Sequence, residues 1–298
     1  MPPRVLILGA AGMLGHSLMK ELDKDGSFDV FGSARDAGIL REYFPDHLLA
    51  RVTSGIDALD MSTIRQLLNH VKPDVIVNCI GVIKQDSAVN DAAYTIKVNS
   101  LFPHLLAAEC GHHAARLIHI STDCVFSGDR GNYREADNPD PSDFYGRTKL
   151  LGEISAPPAL TLRTSVIGHE LDKNRSLVDW FLRQSGVVNG FTRAIYSGFT
   201  TIEFARLLGA VVLPRTDIVG LLHVASAPIS KYDLLSLIAA AYDWTGELVP
   251  YLDFACDRSL SSEAFSALTG YKPPPWTDMI AEMRRSSWPA RHPGDIRP

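Results

Sequence analysis

The sequence lacks several features that define large classes of protein. None of its apolar runs reaches the roughly 20 residues that a membrane-spanning helix needs. It has no excess of basic residues: 29 Lys and Arg stand against 34 Asp and Glu, and the net charge of −5 argues against a nucleic-acid-binding surface. With 46% hydrophobic and 21% charged residues, the chain has the composition of a soluble globular protein.

Cysteine is scarce, and its placement argues against a metal site. Cys79, Cys110, Cys124 and Cys256 lie far apart and show none of the short spacings typical of metal ligands, so we expect no metal. Scattered thiols are typical of a reducing compartment, which predicts a cytoplasmic location. The apolar start, residues 1–15, is short and interrupted by glycine, and we interpret it as a strand and turn, not a signal peptide.

Glycine recurs at a regular spacing near the start of the chain. The run Arg4–Leu8 reads as a strand, and Gly9, Gly12 and Gly15 follow it before helical periodicity begins. A strand, a glycine-rich turn and a helix form the context that a dinucleotide-binding loop requires. Gly9 allows the tight turn, Gly12 lets backbone approach a pyrophosphate, and Gly15 lets the helix pack close to the strand. The free N–H groups at the helix start favour the anion.

The end of the predicted second strand, residues 28–31, bears on the choice of cofactor. In a dinucleotide-binding fold this position reaches the adenosine ribose, where an acid holds a 2′-hydroxyl and an Arg suits a 2′-phosphate. Arg35 is the first charged residue after the strand and Ser33 is small and polar, so we predict NADP(H). Asp36 follows directly and keeps NAD(H) possible.

Strands and helices alternate through the first half of the chain. Strand-like apolar runs at residues 56–60, 75–80 and 116–121 are separated by helical patterns, the longest of which runs from 91 to 110. This alternation predicts βαβ units, and hence an α/β fold with a doubly wound parallel sheet of the Rossmann type.

The second half of the chain is less regular and predicts a different arrangement. Residues 1–165 are predicted to form a NAD(P)-binding Rossmann domain, to which residues 218–243 return. Short amphipathic and strand-like segments, interrupted by proline, make up most of the remainder. We predict that residues 166–298 form mainly a smaller C-terminal substrate-binding lobe.

Three polar side chains predict chemistry at a carbonyl group. Thr122 ends an apolar run, while Tyr145 and Lys149 are four residues apart and share one face of a helix. A free phenol has a pKa of about 10, and an ammonium about 4 Å away would lower it by up to about three units. Tyr145 would then deliver a proton to a carbonyl oxygen that Thr122 orients.

These motifs together resemble those of the extended short-chain dehydrogenase/reductases, and more closely the dTDP-4-dehydrorhamnose reductase family. Residues 121–128, Ser-Thr-Asp-Cys-Val-Phe-Ser-Gly, are similar to its Ser-Thr-Asp-Tyr-Val-Phe-x-Gly, with Cys124 in place of Tyr. Residues 145–153, Tyr-Gly-Arg-Thr-Lys-Leu-Leu-Gly-Glu, also match in order and spacing.

The resemblance implies roles for particular residues. Thr122, Tyr145 and Lys149 become the catalytic trio, and Tyr145 and Lys149 also border the nicotinamide ribose. The remaining residues that the resemblance places at the cofactor are Met13 and Leu14 at the pyrophosphate, and Asp60, Met61, Cys79, Ile80 and Gly81 beside the adenine and the riboses.

Two departures from the family border its sugar site. Val166 stands where Trp is usual, and Gln85-Asp86-Ser87 stands where Val-Asp-Lys is usual, which leaves the identity of the sugar open. Since the net charge is negative, an anionic substrate needs a local positive pocket. Arg163, at a strand end, is explained equally well by a structural role. The residues that we predict to contact substrate are Lys84, Gln85, Arg193 and Arg258.

The resemblance implies an NAD(P)H-dependent reductase of a nucleotide-linked 4-keto-6-deoxy sugar, in the biosynthesis of deoxysugars and cell-surface polysaccharides. Two alternatives stay open. One is a nucleotide-sugar epimerase or dehydratase on the same fold, and the other is a non-catalytic NADP-binding subunit like the regulatory subunit of methionine adenosyltransferase. We expect a nucleotide-sugar substrate, no nucleic-acid or membrane partner, and possible homodimer formation.

Overall fold

Strands from both halves of the chain build the molecule around one large sheet. The computed structural model describes residues 1–24, 26–84, 86–171 and 175–286. Its strands are β1 (Arg4–Leu8), β2 (Asp29–Ser33), β3 (Val52–Thr53), β4 (Val75–Asn78), β5 (Arg116–Thr122), β6 (Leu160–Thr164), β7 (Val166–Ile167), β8 (Val187–Tyr196), β9 (Phe199–Thr200), β10 (Gly220–His223), β11 (Ile229–Ser230) and β12 (Glu247–Asp257).

Seven of these strands form the main sheet, in the order β10-β6-β5-β4-β1-β2-β3, and every pair in it is parallel. The predicted neighbours are in register, with Val5 opposite Val75 across β1 and β4. The order runs outward from β1 in both directions, which is the doubly wound arrangement. The predicted α/β fold is confirmed.

The prediction of a strand at residues 56–60 is wrong. The third strand lies earlier, at β3, and Gly55 turns the chain immediately after it with a φ of +81°. A φ in this region is accessible to glycine and ends the extended run. Residues 56–60 then lead to a helix start, where the Asp60 carboxylate accepts the Ser62 N–H.

Helices cover both faces of the sheet. They are α1 (Met13–Asp23), α2 (Asp46–Leu49), α3 (Met61–Val71), α4 (Ala92–Ile96), α5 (Phe102–His112), α6 (Phe144–Leu151), α7 (Leu177–Leu182), α8 (Thr201–Leu207), α9 (Lys231–Ala241), α10 (Glu263–Thr269) and α11 (Trp276–Ser286). Two π-helical segments continue α4 and α8, at Lys97–Leu101 and Leu208–Val212. No helix in the described ranges is both long and apolar enough to cross a membrane.

The two faces of the sheet carry separate apolar cores. In β1, Val5 and Ile7 belong to one core, while Leu6 and Leu8 belong to the other. This follows from the two-residue period of a strand. Helices α1, α8, α9 and α11 contribute to the first core, and α3 and α5 contribute to the second. Burial on both faces explains why the central strands read as continuous apolar runs.

Two smaller sheets are formed by strands that follow the sixth strand. β8 pairs in parallel with β12 and antiparallel with β11, and β7 pairs with β9. Helix α9 packs on β8, where Gly190 lies against Tyr232. β12 is an edge strand, largely exposed, with a bulge between Tyr251 and Ala255. Between these elements, β10 pairs with β6, so the chain returns to the main sheet.

The first helix lies unusually close to the turn that precedes it. A Cβ atom placed on Gly15 would lie 2.1 Å from the Gly9 carbonyl oxygen and 2.9 Å from the Ala10 Cα. Both of these atoms belong to backbone, which cannot move aside without shifting β1 or α1. Glycine at position 15 therefore fixes the angle and distance at which α1 meets the sheet.

Gly15→Ala should destabilise the protein, because the added methyl group has no space. We expect a loss of about 1–3 kcal/mol in the free energy of unfolding, as for other overpacked sites, measured by denaturant titration. Gly111→Ala is the matched control: it also lies in a helix, but nothing stands within 4 Å of its added Cβ. That control should be neutral or stabilising by up to about 1 kcal/mol. Equal effects of the two changes would contradict this account.

Candidate active site

The glycine loop joins three elements at the carboxyl edge of the sheet. Gly9 has a φ of +87°, and its N–H and that of Ala10 donate to the Ser33 carbonyl oxygen at 3.0 and 2.8 Å. A Cβ on Gly9 would lie 3.3 Å from Ile80 Cγ1 and 3.4 Å from the Cys79 carbonyl carbon. The loop therefore closes against the ends of β2 and β4. Helix α1 begins after Gly12, which provides no side chain to cap it.

Three polar side chains at the end of β2 and just after it make different contacts. Arg35 is exposed, and its Nη1 donates to the Tyr94 hydroxyl at 3.0 Å. The Asp36 carboxylate accepts the Gly38 N–H at 2.7 Å and so stabilises its own turn. The Ser33 hydroxyl is buried and has no hydrogen-bond partner in the described protein. Arg35 is therefore the charged group that this edge presents outward.

Tyr94 was not among the residues predicted from sequence. It lies in α4, far from Arg35 along the chain, and no local motif marks it. Its hydroxyl restricts a guanidinium that would otherwise move freely on an exposed loop. The contact arises because the fold places α4 beside the end of β2, which the sequence alone does not indicate.

Asp60, Met61 and Ile80 lie around the second core where it meets this edge. Asp60 caps α3: its carboxylate accepts from the Ser62 hydroxyl at 2.6 Å and from the Ser62 N–H at 2.9 Å. These two hydrogen bonds hold the pKa of Asp60 below its ordinary value. Met61 and Ile80 are partly buried and pack against the second core. Their contact with a cofactor stays a prediction.

Thr122, Tyr145 and Lys149 are brought together at the end of β5. The hydroxyl group of Thr122 lies near that of Tyr145. Thr122 Oγ1 also donates to Asp123 Oδ1 at 3.1 Å and accepts the Cys124 N–H at 3.1 Å. Lys149 is buried, and its Nζ donates to the Ile120 carbonyl oxygen at 2.8 Å. Helix α6 carries both Tyr145 and Lys149, and it crosses the strand end with this face inward.

The protonation of the trio differs from the sequence-based expectation. Burial raises the pKa of the Tyr145 hydroxyl above its ordinary value, and the nearby Thr122 hydroxyl offsets only part of that effect. The predicted lowering of this pKa by Lys149 is therefore wrong for the structure as it stands. Burial also lowers the pKa of Lys149, to about 8, although Glu153 opposes that shift. Desolvation outweighs attraction at both groups.

Two glycines hold α6 against the rest of the site. A Cβ on Gly146 would lie 2.1 Å from the Cys124 carbonyl oxygen, and one on Gly152 would lie 2.0 Å from the Asn99 carbonyl oxygen. Backbone thus meets backbone at both ends of the helix. This contact sets the depth at which Tyr145 and Lys149 enter the site.

Asn99 is a positioning residue to which the sequence reading gave no role. Its amide accepts the Val82 N–H at 2.8 Å, donates to the Val82 carbonyl oxygen at 2.9 Å, and also reaches Thr148 Oγ1 at 3.2 Å. It therefore ties the loop after β4 to the helix that carries Lys149. Asn99 lies in the π-helical segment, a feature often found at functional sites. A polar amide inside an otherwise apolar helical pattern was the available signal.

Arg163 is structural. Its Nε and Nη2 each donate at 2.8 Å to one oxygen of the Glu153 carboxylate, which also accepts from the Ser121 hydroxyl at 2.6 Å. The guanidinium lies 5.2 Å from the centroid of the Phe126 ring. Arg163 is only 4% exposed, so it has no free surface to offer to a substrate.

Two of the predicted substrate contacts lie beside the trio. Lys84 Nζ stands 5.8 Å from the centroid of the Tyr145 ring and forms an ion pair with Asp143. Arg258 Nη1 lies 3.7 Å from Cys124 Sγ, and its Nη2 lies 3.8 Å from Asp143 Oδ2. Sequence order separates Lys84 and Arg258 widely, yet both meet the same carboxylate.

The other two predicted contacts do not join them. Arg193 is exposed in the middle of β8, opposite Ala255 of β12, and within the described ranges no hydrogen bond or ion pair connects it to the site. Gln85 lies outside the described residues. Among the residues that the structure describes, no group of three or more His, Cys, Asp or Glu side chains is placed to hold a metal ion.

The residues that depart from the family pattern also line this region. Burial raises the pKa of the Cys124 thiol to about 12, and Asp123 adds to that shift while Lys84 and Arg258 oppose it. Cys124 is thus a neutral side chain between two cations. Val166, half-buried in β7, packs against the first core.

The seven-stranded parallel sheet, with its glycine loop and its Tyr-Lys helix at one edge, defines an α/β protein of the Rossmann type. A family model described as the RmlD substrate binding domain matches residues 3–287. The chain belongs to this family.

Two kinds of curated protein resemble the chain to a similar degree. It is 33% identical over 171 residues to a dTDP-4-dehydrorhamnose reductase of Mycobacterium tuberculosis, covering 54% of this chain and 49% of the relative. It is 36% identical over 176 residues to methionine adenosyltransferase 2 subunit beta of Bos taurus, covering 57% of this chain and 48% of the relative. The chain thus spans about half the length of these curated relatives in the matched regions.

A solved structure resembles nearly the whole molecule. The dTDP-4-dehydrorhamnose reductase of Bacillus anthracis, in complex with NADP, superposes with a TM-score of 0.77 at 21% identity, covering 96% of this chain and 100% of that one. At this identity the likeness establishes the fold.

Replacing the buried lysine should change stability in a pH-dependent way. Since the pKa of Lys149 falls from 10.5 to about 8 on folding, its charged form opposes folding at neutral pH. Lys149→Met should therefore raise the free energy of unfolding at pH 7 by about 1–3 kcal/mol. Above pH 8 the folded wild type loses this proton before the unfolded chain does, so the difference should shrink towards pH 10.5.

Thermal unfolding between pH 6.5 and 10.5 measures this difference. Lys97→Met, at an exposed lysine, is the control and should show no comparable pH trend. A Lys149→Met protein that is less stable than wild type at pH 7, or equally shifted at every pH, would contradict the assignment.

Proposed function

We propose that the protein is an NADPH-dependent reductase of a nucleotide-linked 4-keto-6-deoxy sugar, acting in deoxysugar biosynthesis. The observation that carries this proposal is the placement of the Thr122 hydroxyl beside that of Tyr145, with Lys149 buried one helical turn further on. All three lie at the sheet edge where the glycine loop also ends, because every strand of the sheet runs parallel. Ligands of open α/β sheets bind at this edge.

The residues present fit NADP(H). Gly12 has no side chain and would let a pyrophosphate approach the start of α1, near Met13 and Leu14, while Gly9 and Gly15 bring the turn and the helix close together. Arg35 faces outward at the ribose end, and the buried Ser33 hydroxyl lacks a protein partner. Asp36 is engaged in its own turn, which favours NADPH over NADH. The similar structure that contains NADP supports the same choice.

The trio would act at the carbonyl oxygen of the substrate. When bound, the reduced nicotinamide supplies the hydride that the carbonyl carbon takes up. Thr122 and Tyr145 orient the oxygen, and Tyr145 gives it a proton. The raised pKa of Tyr145 keeps its hydroxyl protonated near neutral pH, as a proton donor requires. Lys149, whose Nζ donates to the Ile120 carbonyl oxygen, would contact the nicotinamide ribose.

The substrate would enter between the sheet edge and the smaller lobe, residues 166–298 in the main. Lys84 and Arg258 supply positive charge next to Tyr145, in a protein whose net charge is −5. In a nucleotide-linked sugar the pyrophosphate is bonded directly to the sugar ring. Cations that lie beside Tyr145 can therefore also contact the pyrophosphate. Val166 would border the sugar, and Gln85 and Arg193 stay predicted substrate contacts.

A second candidate function is that of a non-catalytic regulatory subunit. The relatives named methionine adenosyltransferase 2 subunit beta, at identities close to those of the reductases, favour it specifically. The intact trio weighs against it. Net consumption of NADPH with a keto sugar separates the reductase from this subunit and from a redox-neutral epimerase.

Assembly and location remain part of the proposal. Leu101, Leu105 and Leu151 are exposed at 50%, 40% and 64%, at the end of the π-helical segment, in α5 and in α6. Apolar side chains exposed together are typical of a contact surface, which supports a homodimer. The four cysteines are free thiols, as in a cytoplasmic protein. Size-exclusion chromatography with light scattering tests the dimer.

Tyr145→Phe should abolish most turnover while sparing the fold. The change removes only the hydroxyl, so NADPH binding should persist while kcat falls by about 10²–10⁴-fold, the usual contribution of general acid catalysis. The measurement is NADPH absorbance with a panel of nucleotide 4-keto sugars. Tyr232→Phe, in α9, is the control and should keep its rate. A Tyr145→Phe protein that works at the wild-type rate would end this mechanism.

Arg35→Ala should remove the preference for NADPH over NADH. A charge-assisted contact to the 2′-phosphate contributes about 1.5–3 kcal/mol, so NADPH affinity should fall roughly tenfold or more while NADH affinity stays the same. Tyr94→Phe should produce a smaller loss in the same direction, because the Arg35 guanidinium loses its hydroxyl partner. Arg41→Ala, at another exposed arginine nearby, is the control. Unchanged cofactor ratios in Arg35→Ala would refute the assignment.

A further inference from the structure

One carboxylate at the mouth of the site has two separate contacts. Asp143 directly precedes α6, and its Oδ1 accepts the Gly146 N–H at 2.7 Å, which caps the helix that carries Tyr145. Its Oδ2 faces the other way, towards the ammonium of Lys84 and the Nη2 of Arg258. The same side chain therefore joins the start of the catalytic helix to both cations.

Arg258 is held in place largely without Asp143, whereas Lys84 forms its ion pair with Asp143. Arg258 Nε donates to the Phe126 carbonyl oxygen at 2.9 Å, and its Nη2 donates to Ser142 Oγ at 3.1 Å. The Asp143 oxygen lies 3.8 Å away, beyond a direct hydrogen bond. Lys84 keeps 34% of its side chain exposed and Arg258 keeps 17%, so a ligand can still reach them. The geometry is that of an anion subsite occupied by a protein carboxylate, which contacts Lys84 closely and Arg258 at a longer distance.

The negative charge of Asp143 is not needed for its capping contact. Asn and Ser cap helices about as well as Asp, because the cap requires only an oxygen that accepts a backbone N–H. Asp123, the other nearby acid, is 8% exposed and accepts from Thr122, so its charge is turned towards the trio. Hydrogen bonding by Gly146 and the two cations lower the pKa of Asp143 against the opposing effect of burial, which keeps it ionised.

We propose that Asp143 occupies, in the substrate-free site, the position that a phosphate group of the substrate takes, and that Lys84 and Arg258 exchange the carboxylate for that phosphate. This inference rests on the proposed function, since it concerns how the same site recognises a nucleotide-linked sugar. A phosphate carries at least the charge of a carboxylate and offers more oxygens to the two cations. Asp143 keeps its cap throughout, so the catalytic helix stays in place during the exchange.

If so, Asp143 limits the affinity of this site for the phosphate groups of the substrate. A built-in competitor weakens binding of the substrate anion and limits product retention, while it keeps two neighbouring cations neutralised between turnovers. Removing its charge without removing its oxygen should therefore strengthen anion binding. A residue that served only to cap or to position the cations would produce no change or a loss.

Titration calorimetry with thymidine diphosphate and with inorganic pyrophosphate tests this proposal, in excess NADP⁺ so that the glycine loop is filled. Asp143→Asn keeps the cap and removes the charge, and it should bind both probes about threefold or more tightly than wild type, with unchanged thermal stability. In a Lys84→Met background the same change should give a smaller gain, because one of the two released cations is missing. Asp140→Asn, which removes a nearby charge that accepts from Ser127, is the control for general charge effects.

Equal or weaker binding by Asp143→Asn would overturn the proposal, as would an equal gain in Asp140→Asn. Binding of neither probe to wild type or Asp143→Asn would overturn the subsite itself. Because the readout is binding, it is separate from the proposed function: a protein that reduces keto sugars yet shows no gain in Asp143→Asn keeps its activity assignment and loses this one. Tighter binding by Asp143→Asn, in a protein that reduces no keto sugar, would keep the anion subsite and refute the proposed activity.

Discussion

The ion pair between Glu153 and Arg163 is the interaction on which the arrangement of the site depends. It joins the end of α6 to β6, and through Ser121 and His223 it reaches β5 and β10 as well. Both partners are nearly inaccessible, with side chains 8% and 5% exposed, so removal of either one would leave an uncompensated buried charge at a cost of about 3–5 kcal/mol. The helix that carries Tyr145 and Lys149 is thereby fixed to three neighbouring strands.

Polar contacts around this pair do the finer positioning. Asn99 connects the loop after β4 to α6, and Gly146 and Gly152 bring the helix backbone against its neighbours. Backbone contacts and a buried ion pair thus fix the position of α6, and flexible side chains contribute little. Desolvation follows from the same packing and explains why the pKa of Tyr145 rises while that of Lys149 falls.

Sequence patterns predicted the sheet because its strands are apolar on both faces and its glycine turn has a steric cause. They failed at 56–60, where a brief apolar stretch follows the actual strand and only Gly55 marks the turn. The four-residue spacing of Tyr145 and Lys149, and the position of Thr122 at a strand end, predicted a shared site, but no pattern could give the burial that sets the pKa values of Tyr145 and Lys149. Arg35 with Tyr94, and Lys84 with Arg258, meet only through tertiary packing, which one sequence does not display.

The buried cysteines have a practical consequence for handling the protein. Burial raises the pKa of Cys79, Cys110 and Cys124 to about 12 in each case, so only a minute fraction of these thiols is ionised at neutral pH. Alkylating and oxidising reagents attack the thiolate, and they should reach these three positions orders of magnitude more slowly than a free cysteine. Modification at these three positions should therefore follow unfolding and not precede it.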